Sequence, residues 1–169
     1  MLAGRWIFKV FGWGGAALVT PITLLITGAT FFSLILFPGV FAPITAKLGT
    51  TPLMLAVLVG ALQNILSKGS KYSLFDPCKE MAYIPLDGES KTKGKAAVDV
   101  IGNPLGKSGG SLIQQFLIAT TGSLQASTPY LGMLLGVIVT TWINAAANLN
   151  KQFIVKSKEM DEQLAKENN

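Results

Sequence analysis

The chain has 169 residues, half of them hydrophobic and 14% charged, with a formal net charge of +5. A soluble domain carries roughly a quarter charged residues; here the apolar residues gather in long runs with the lysines between them, which is the partition of a polytopic membrane protein. Histidine is absent and Cys78 is the single cysteine, which excludes imidazole metal sites, Ser-His or Cys-His catalysis and an intrachain disulfide. The basic excess lies in short loops and a tail rather than in a patch, so the expected partner is the lipid bilayer and not nucleic acid.

Arg5 and Lys9 precede the first apolar run, Gly12 to Phe37. It is too long for a signal-peptide core, and no small-residue cleavage site closes it. Thr20, Thr23, Thr27 and Thr30 form a hydroxyl stripe beside Pro21, suited equally to a cavity or to a neighbouring helix. The second run, Thr51 to Leu66, reaches spanning length if its helix continues through Ser67 and Lys68, whose ammonium can snorkel. The third, Ala97 to Leu124, is interrupted by Asp99, Pro104 and Lys107, and the fourth runs from Pro129 to Ala147. The expected architecture is an all-α membrane protein with spans at 12–37, 51–68, 97–124 and 129–147. A polar tail, 151–169, reads as a solvated or frayed helix with Glu162 and Lys166 one turn apart. Lysine-rich and lysine-poor loops alternate along the chain, which places both ends and the middle loop on the cytoplasm-equivalent side.

The middle loop has a pattern of its own. On a helical wheel, Leu74, Phe75, Cys78, Met81 and Ala82 fall within about 120° of one another, while Asp76, Lys79, Glu80 and Tyr83 face the other way. Pro77 and Pro85 predict short, broken helices across 72–86. The simplest reading is an amphipathic segment at the interface or packed beneath the bundle; contact with a substrate is the second.

Asn103-Pro104-Leu105-Gly106-Lys107-Ser108-Gly109-Gly110 looks like part of a phosphate-binding loop but fails its spacing, because Gly102 stands one residue too close to Gly106-Lys107-Ser108. Read as a membrane helix, the same stretch is more informative. Asn103, Ser111, Gln114, Thr121 and Gln125 lie within about 40° of Lys107, with Leu105, Leu112 and Phe116 opposite and Ile118 breaking the stripe. Interhelical hydrogen bonding explains serines and threonines on a spanning helix. A lysine there is costly without water or a partner, so the stripe predicts a wet cavity. Gly102, Gly106 and Gly110 repeat every fourth residue, as do Gly132 and Gly136, a device that lets a neighbouring helix approach closely. No carboxylate pair stands near Asp99 and Lys107 to do acid–base chemistry, so no enzyme, cofactor or metal is expected.

The stretch from Lys71-Tyr72-Ser73-Leu74-Phe75-Asp76-Pro77-Cys78-Lys79-Glu80 through Met81-Ala82-Tyr83-Ile84-Pro85-Leu86 resembles the signature block of the ATP/ADP translocases of plastids, chlamydiae and rickettsiae. Lys93 to Ala97, Asn103 to Gly110, Gln114-Gln115, Phe11 to Gly14 and Ser127 to Gly132 continue the resemblance, which covers most of 11–150. It implies about twelve spanning helices in a major-facilitator-like arrangement, of which this chain supplies roughly the last four. The partners it implies are ATP and ADP as transported substrates and the missing N-terminal helices of the same transporter; without them the chain alone is not expected to transport. Such transporters depend on a few membrane-embedded Lys and Glu residues, which adds weight to Lys107, with Lys79 as the second cation. The substrate-binding residues expected are therefore Lys107, Asn103, Ser111, Gln114 and Lys79. Pro77-Cys78 and Asn103-Pro104 look more like plastid than bacterial members, pointing to the plastid inner envelope, with a bacterial inner membrane as the alternative. A proton-coupled importer of other nucleotides and a non-transporting membrane assembly subunit are the competing functions.

Overall fold

The computed structural model describes residues 2–167, all-α among those residues. Helix α1, Leu2–Leu36, is broken at Gly12, whose φ of 66° and ψ of −170° no side-chain-bearing residue adopts readily. A short helix, α2 (Pro38–Lys47), fills part of the connection where the sequence suggested only a loop. Helix α3, Pro52–Ser70, starts where Thr51 accepts a hydrogen bond from the Met54 N–H and Pro52 supplies a preset φ.

From Ser70 the chain does not leave the helix. A widened turn over Lys71–Phe75 leads directly into α4, Asp76–Ala82. The Asp76 N–H reaches back to the Lys71 carbonyl, five residues earlier, in place of the usual four. Pro77 has no N–H to donate and its ring crowds the preceding turn, and the widened turn stands immediately ahead of it. The expectation that Pro77 breaks the segment is thus corrected: Pro52–Ala82 is one continuous rod, and only the turn around Pro85 ends it.

The same device recurs on the far side of that turn. Asp87 caps α5, Gly88–Ala96, by accepting from the Ser90 N–H, and this bond holds its carboxyl below the usual range. A second widened turn, Ala97–Gly102, then joins α5 to α6, Asn103–Thr121, just ahead of Pro104. Here the Asn103 N–H reaches the Val98 carbonyl. The helix expected to begin near Ala97 therefore starts at Gly88, about two and a half turns earlier. It stops at Gly122, whose φ of 80° forms a left-handed cap. Helix α7 runs unbroken over Leu124–Glu167, joining the expected fourth span and the polar tail into a single rod.

Helix α1 is the hub, with α3 and α7 packed against it. Small residues set those crossings. A Cβ on Gly28 would come within 2.6 Å of Leu135 Cδ2, and one on Gly132 within 3.0 Å of the Phe32 ring. Thr20 lies buried at 3% exposure, whereas Thr30 is exposed and bonds back to the Ile26 carbonyl. The hydroxyl stripe is therefore a packing surface at one end only. Among the described residues three helical stretches are long and apolar enough to cross a membrane: Trp6–Leu36, Pro52–Ala82 and Leu124–Lys166. The stretch containing α6 is not among them, because the polar face of Asn103, Lys107, Ser111 and Gln114 lowers its hydropathy.

Candidate functional site: a charged junction beneath a polar helix face

The signature segment is anchored from below by an aromatic. Trp13, one residue past the break in α1, donates from Nε1 to the Cys78 carbonyl at 2.9 Å and stacks on Phe153 of α7 at 4.8 Å. Around it Ala16, Ala17, Leu74 and Cys78 form the buried core, with Met81 and Ala82 packed alongside. The apolar arc read from the wheel is the face that meets α1. Tyr83 departs from that reading: it is buried at 8% exposure rather than turned outward, and lies under the Lys95 ammonium. Tyr83 keeps helical dihedrals (φ −87°, ψ −10°); it is buried because α5 covers that face, Gly94 standing against its ring.

With its apolar side fixed, α4 turns its charged side toward α5 and the second widened turn. Lys79 Nζ meets Asp99 Oδ1 at 2.8 Å, and the same carboxylate oxygen accepts from Asn103 Nδ2 at 3.2 Å. Lys95 reaches back to Glu80, which also lies 3.9 Å from Lys79. Lys71 pairs with Asp76 at 3.0 Å within the first widened turn. The Lys79 side chain retains only 22% of its exposure, so its contact with Asp99 is partly shielded from water. Asp99 and Glu80, absent from the expected site, thus hold two of its neighbouring cations. The Asp99–Asn103 spacing of one helical turn was visible in the sequence. The pairing across twenty positions to Lys79 was not.

Of the five expected residues, the structure joins Lys79 to Asn103 through Asp99. Lys107, Ser111 and Gln114 follow Asn103 up the same side of α6, exposed. Ser111 bonds back to the Ser108 carbonyl. Among the described residues Lys107 meets no carboxylate, whereas Lys71, Lys79, Lys93 and Lys95 each do. Helix α6 packs chiefly on α7, and its half-buried positions include Ile118 and Thr121, which lie within about 40° of Lys107 on the wheel. The polar stripe therefore continues the bundle-facing side of α6, and Ile118 interrupts it where that side is packed. Leu105, Leu112 and Phe116, opposite, are all more than 60% exposed. Gly106 and Gly110 have open space where a Cβ would stand.

A bundle of long apolar helices, with paired charges at one end and an unpaired lysine farther along a polar helix face, has the architecture of an all-α, multi-pass membrane protein. Comparison with known proteins makes the class specific. Residues 1–153 match the family described as TLC ATP/ADP transporter, and the chain belongs to that family. It is 65% identical, over 99% of its length, to the Arabidopsis thaliana protein named ADP,ATP carrier protein 1, chloroplastic, of which the match covers 26%. Identity is 54% over 98% of the chain to ADP,ATP carrier protein 1 of Chlamydia trachomatis, covering 31% of that protein. The corresponding values for ADP,ATP carrier protein 1 of Rickettsia prowazekii are 49%, 92% and 32%. The chain spans between 26% and 32% of the length of these relatives. No solved structure matches it.

Proposed function

We propose that this chain forms the last four spanning helices of a twelve-helix, major-facilitator-like nucleotide transporter that exchanges ATP for ADP. The single observation that carries the site assignment is Lys107: an exposed cation on the polar, bundle-facing side of α6, without a carboxylate among the described residues. A nucleotide brings several negative charges, and a path for it through a bilayer requires cations in contact with water. Lys107 supplies one for the phosphates. Asn103, Ser111 and Gln114 supply donors for phosphate or ribose, and the bare positions at Gly106 and Gly110 leave room for a bulky solute. The apolar face of Leu105, Leu112 and Phe116 meets lipid or the transporter's other helices.

Exchange is preferred over proton-coupled import because relatives 65%, 54% and 49% identical to the chain carry ADP,ATP carrier names. Identity higher to the Arabidopsis chloroplast protein than to the chlamydial one favours the plastid inner envelope over a bacterial membrane. The test is uptake of labelled ATP into vesicles holding the full-length transporter. Lys107→Gln is expected to abolish exchange while membrane insertion persists. Lys107→Arg retains weak activity, since charge survives but the compact ammonium does not. Wild-type exchange by Lys107→Gln would remove Lys107 from the path, and vesicles of the wild-type protein that fail to exchange would favour an assembly role.

A further inference from the structure

Two features of the charged junction have no role in the reading above: the paired widened turns and the ion pair that ties α4 to the second of them. Each turn precedes an X-Pro step, Asp76-Pro77 and Asn103-Pro104. Each inserts one extra residue into an otherwise continuous rod, its closing N–H reaching back five residues to Lys71 or Val98. Such a turn has a geometric consequence. In an uninterrupted α-helix the extra residue would rotate everything beyond it by about 100° and advance it by about 1.5 Å. The turn over Ala97–Gly102 absorbs that residue, so the direction faced by Asn103, Lys107, Ser111 and Gln114 depends on the turn staying wide. Pro104 already leaves one carbonyl of the preceding turn without its helical N–H, so the α-helical alternative does not recover a full set of bonds. The widened and regular states are therefore closer in energy than they would be in an all-amide helix.

Asp99 lies inside this turn, held on one side by Asn103 of α6 and on the other by Lys79. Lys79 is carried by α4, which Leu74, Cys78 and Trp13 fix to α1. From this geometry we infer that Asp99 is a positioning residue: tied to Lys79, it holds the turn wide and so sets the direction in which the Lys107 face of α6 points. The tie is partly exposed at both ends, 22% for Lys79 and 45% for Asp99, so it can exchange with water. Its loss lets α6 turn about its own axis, moving the lysine face out of the path. The inference rests on the stripe lining the nucleotide path, and a labelling pattern separates its failure from failure of that reading.

The experiment uses the full-length transporter, cleared of other reactive thiols, with single cysteines placed along 105–115 and a membrane-impermeant maleimide as probe. With the tie intact, labelling peaks at positions 107, 111 and 114. A flat pattern would dispose of the wet stripe itself, and with it this inference. With Asp99→Asn, the peaks are expected to move to the preceding residues, 106, 110 and 113, as the turn reverts to regular helix. Removing Val100 from the Asp99→Asn protein deletes the extra residue and should return the peaks to 107, 111 and 114. In transport, Asp99→Asn is expected to raise the apparent KM for ATP about tenfold, because only a tenth of the molecules present the competent face, with kcat within about twofold. The exchanged pair, Lys79→Asp with Asp99→Lys, should bring KM back to within about threefold of wild type. Peaks that stay at 107, 111 and 114 in Asp99→Asn would overturn the inference. So would an exchanged pair as impaired as Lys79→Asp alone, since that identifies Lys79 as a direct ligand of the phosphates.

Discussion

Replacing Trp13 tests whether the signature segment is held in place from below. The indole has three attachments: burial at 8% exposure, a 2.9 Å hydrogen bond to the Cys78 carbonyl, and a 4.8 Å stack on Phe153 with the rings 21° apart. Trp13→Phe keeps most of the ring and loses the bond, at a cost of about 1 kcal/mol. Trp13→Ala loses all three, and large-to-small aromatic replacements in cores cost about 3–5 kcal/mol. The lower end applies here, because lipid is as apolar as the core, leaving the cavity and lost dispersion contacts rather than transfer from water. About 1 kcal/mol of that belongs to the stack. Denaturant-induced unfolding of the full-length protein in detergent, followed by a probe on α4, should rank wild type, Trp13→Phe and Trp13→Ala in that order. The double variant with Phe153→Ala should fall short of additivity by about 1 kcal/mol. Full additivity, or an unchanged midpoint for Trp13→Ala, would show that the indole anchors neither α4 nor α7.

Cysteine probes in the 86–95 loop and near Lys151 should label from one side of the membrane and probes near Lys47 and Gly122 from the other; a common side for Lys47 and Lys91 would defeat the lysine-derived topology. Gly122→Ala should destabilise by about 1 kcal/mol, since φ is 80° although space for the methyl is open, and Gly122→Asn should cost less; equal unfolding midpoints for all three would show that the cap carries no strain. Thr20→Val should be neutral or slightly stabilising, because its buried hydroxyl has no hydrogen-bond partner among the described residues; a clear loss of thermal stability would reveal one. Lowering pH should fray α5, because the Asp87 carboxyl is held below its usual range by the Ser90 N–H. That contribution is present above the unfolded-state pKa and disappears as pH falls through the depressed folded value; hydrogen exchange at Ser90 that stays constant through that fall would refute it.

Much of the architecture was legible because membrane helices declare themselves by apolar length, as in 12–37 and 129–147. What the sequence misjudged came from backbone chemistry that a hydropathy pattern does not encode. Pro77 looks like a helix breaker, yet one extra residue ahead of it lets the helix continue, as another does ahead of Pro104 within the expected third span. The wheel placed Leu74 and Cys78 correctly because it assumed local helix, and left Tyr83 facing outward because a single-helix wheel does not show that α5 returns to cover that face. In the candidate site, Lys107, Asn103, Ser111 and Gln114 were proposed from their spacing along one helix, and α6 runs helical through all four. Asp99 was passed over as an interruption of an apolar run, since its partner Lys79 reaches it only after the chain reverses at Pro85.

Helix α7 is 44 residues long, or about 66 Å at 1.5 Å per residue, while a hydrocarbon core is about 30 Å thick. A rod of that length fits within a bilayer only if it lies steeply aslant or projects from it, and the polar composition beyond Phe153 selects projection. Several turns of rigid helix therefore stand in water, in register with the segment that packs on α1. A soluble protein joined through continuous helix at residue 166 would inherit that orientation and turn with the bundle. For a membrane protein, such a stem is a ready mount for a particle-image marker.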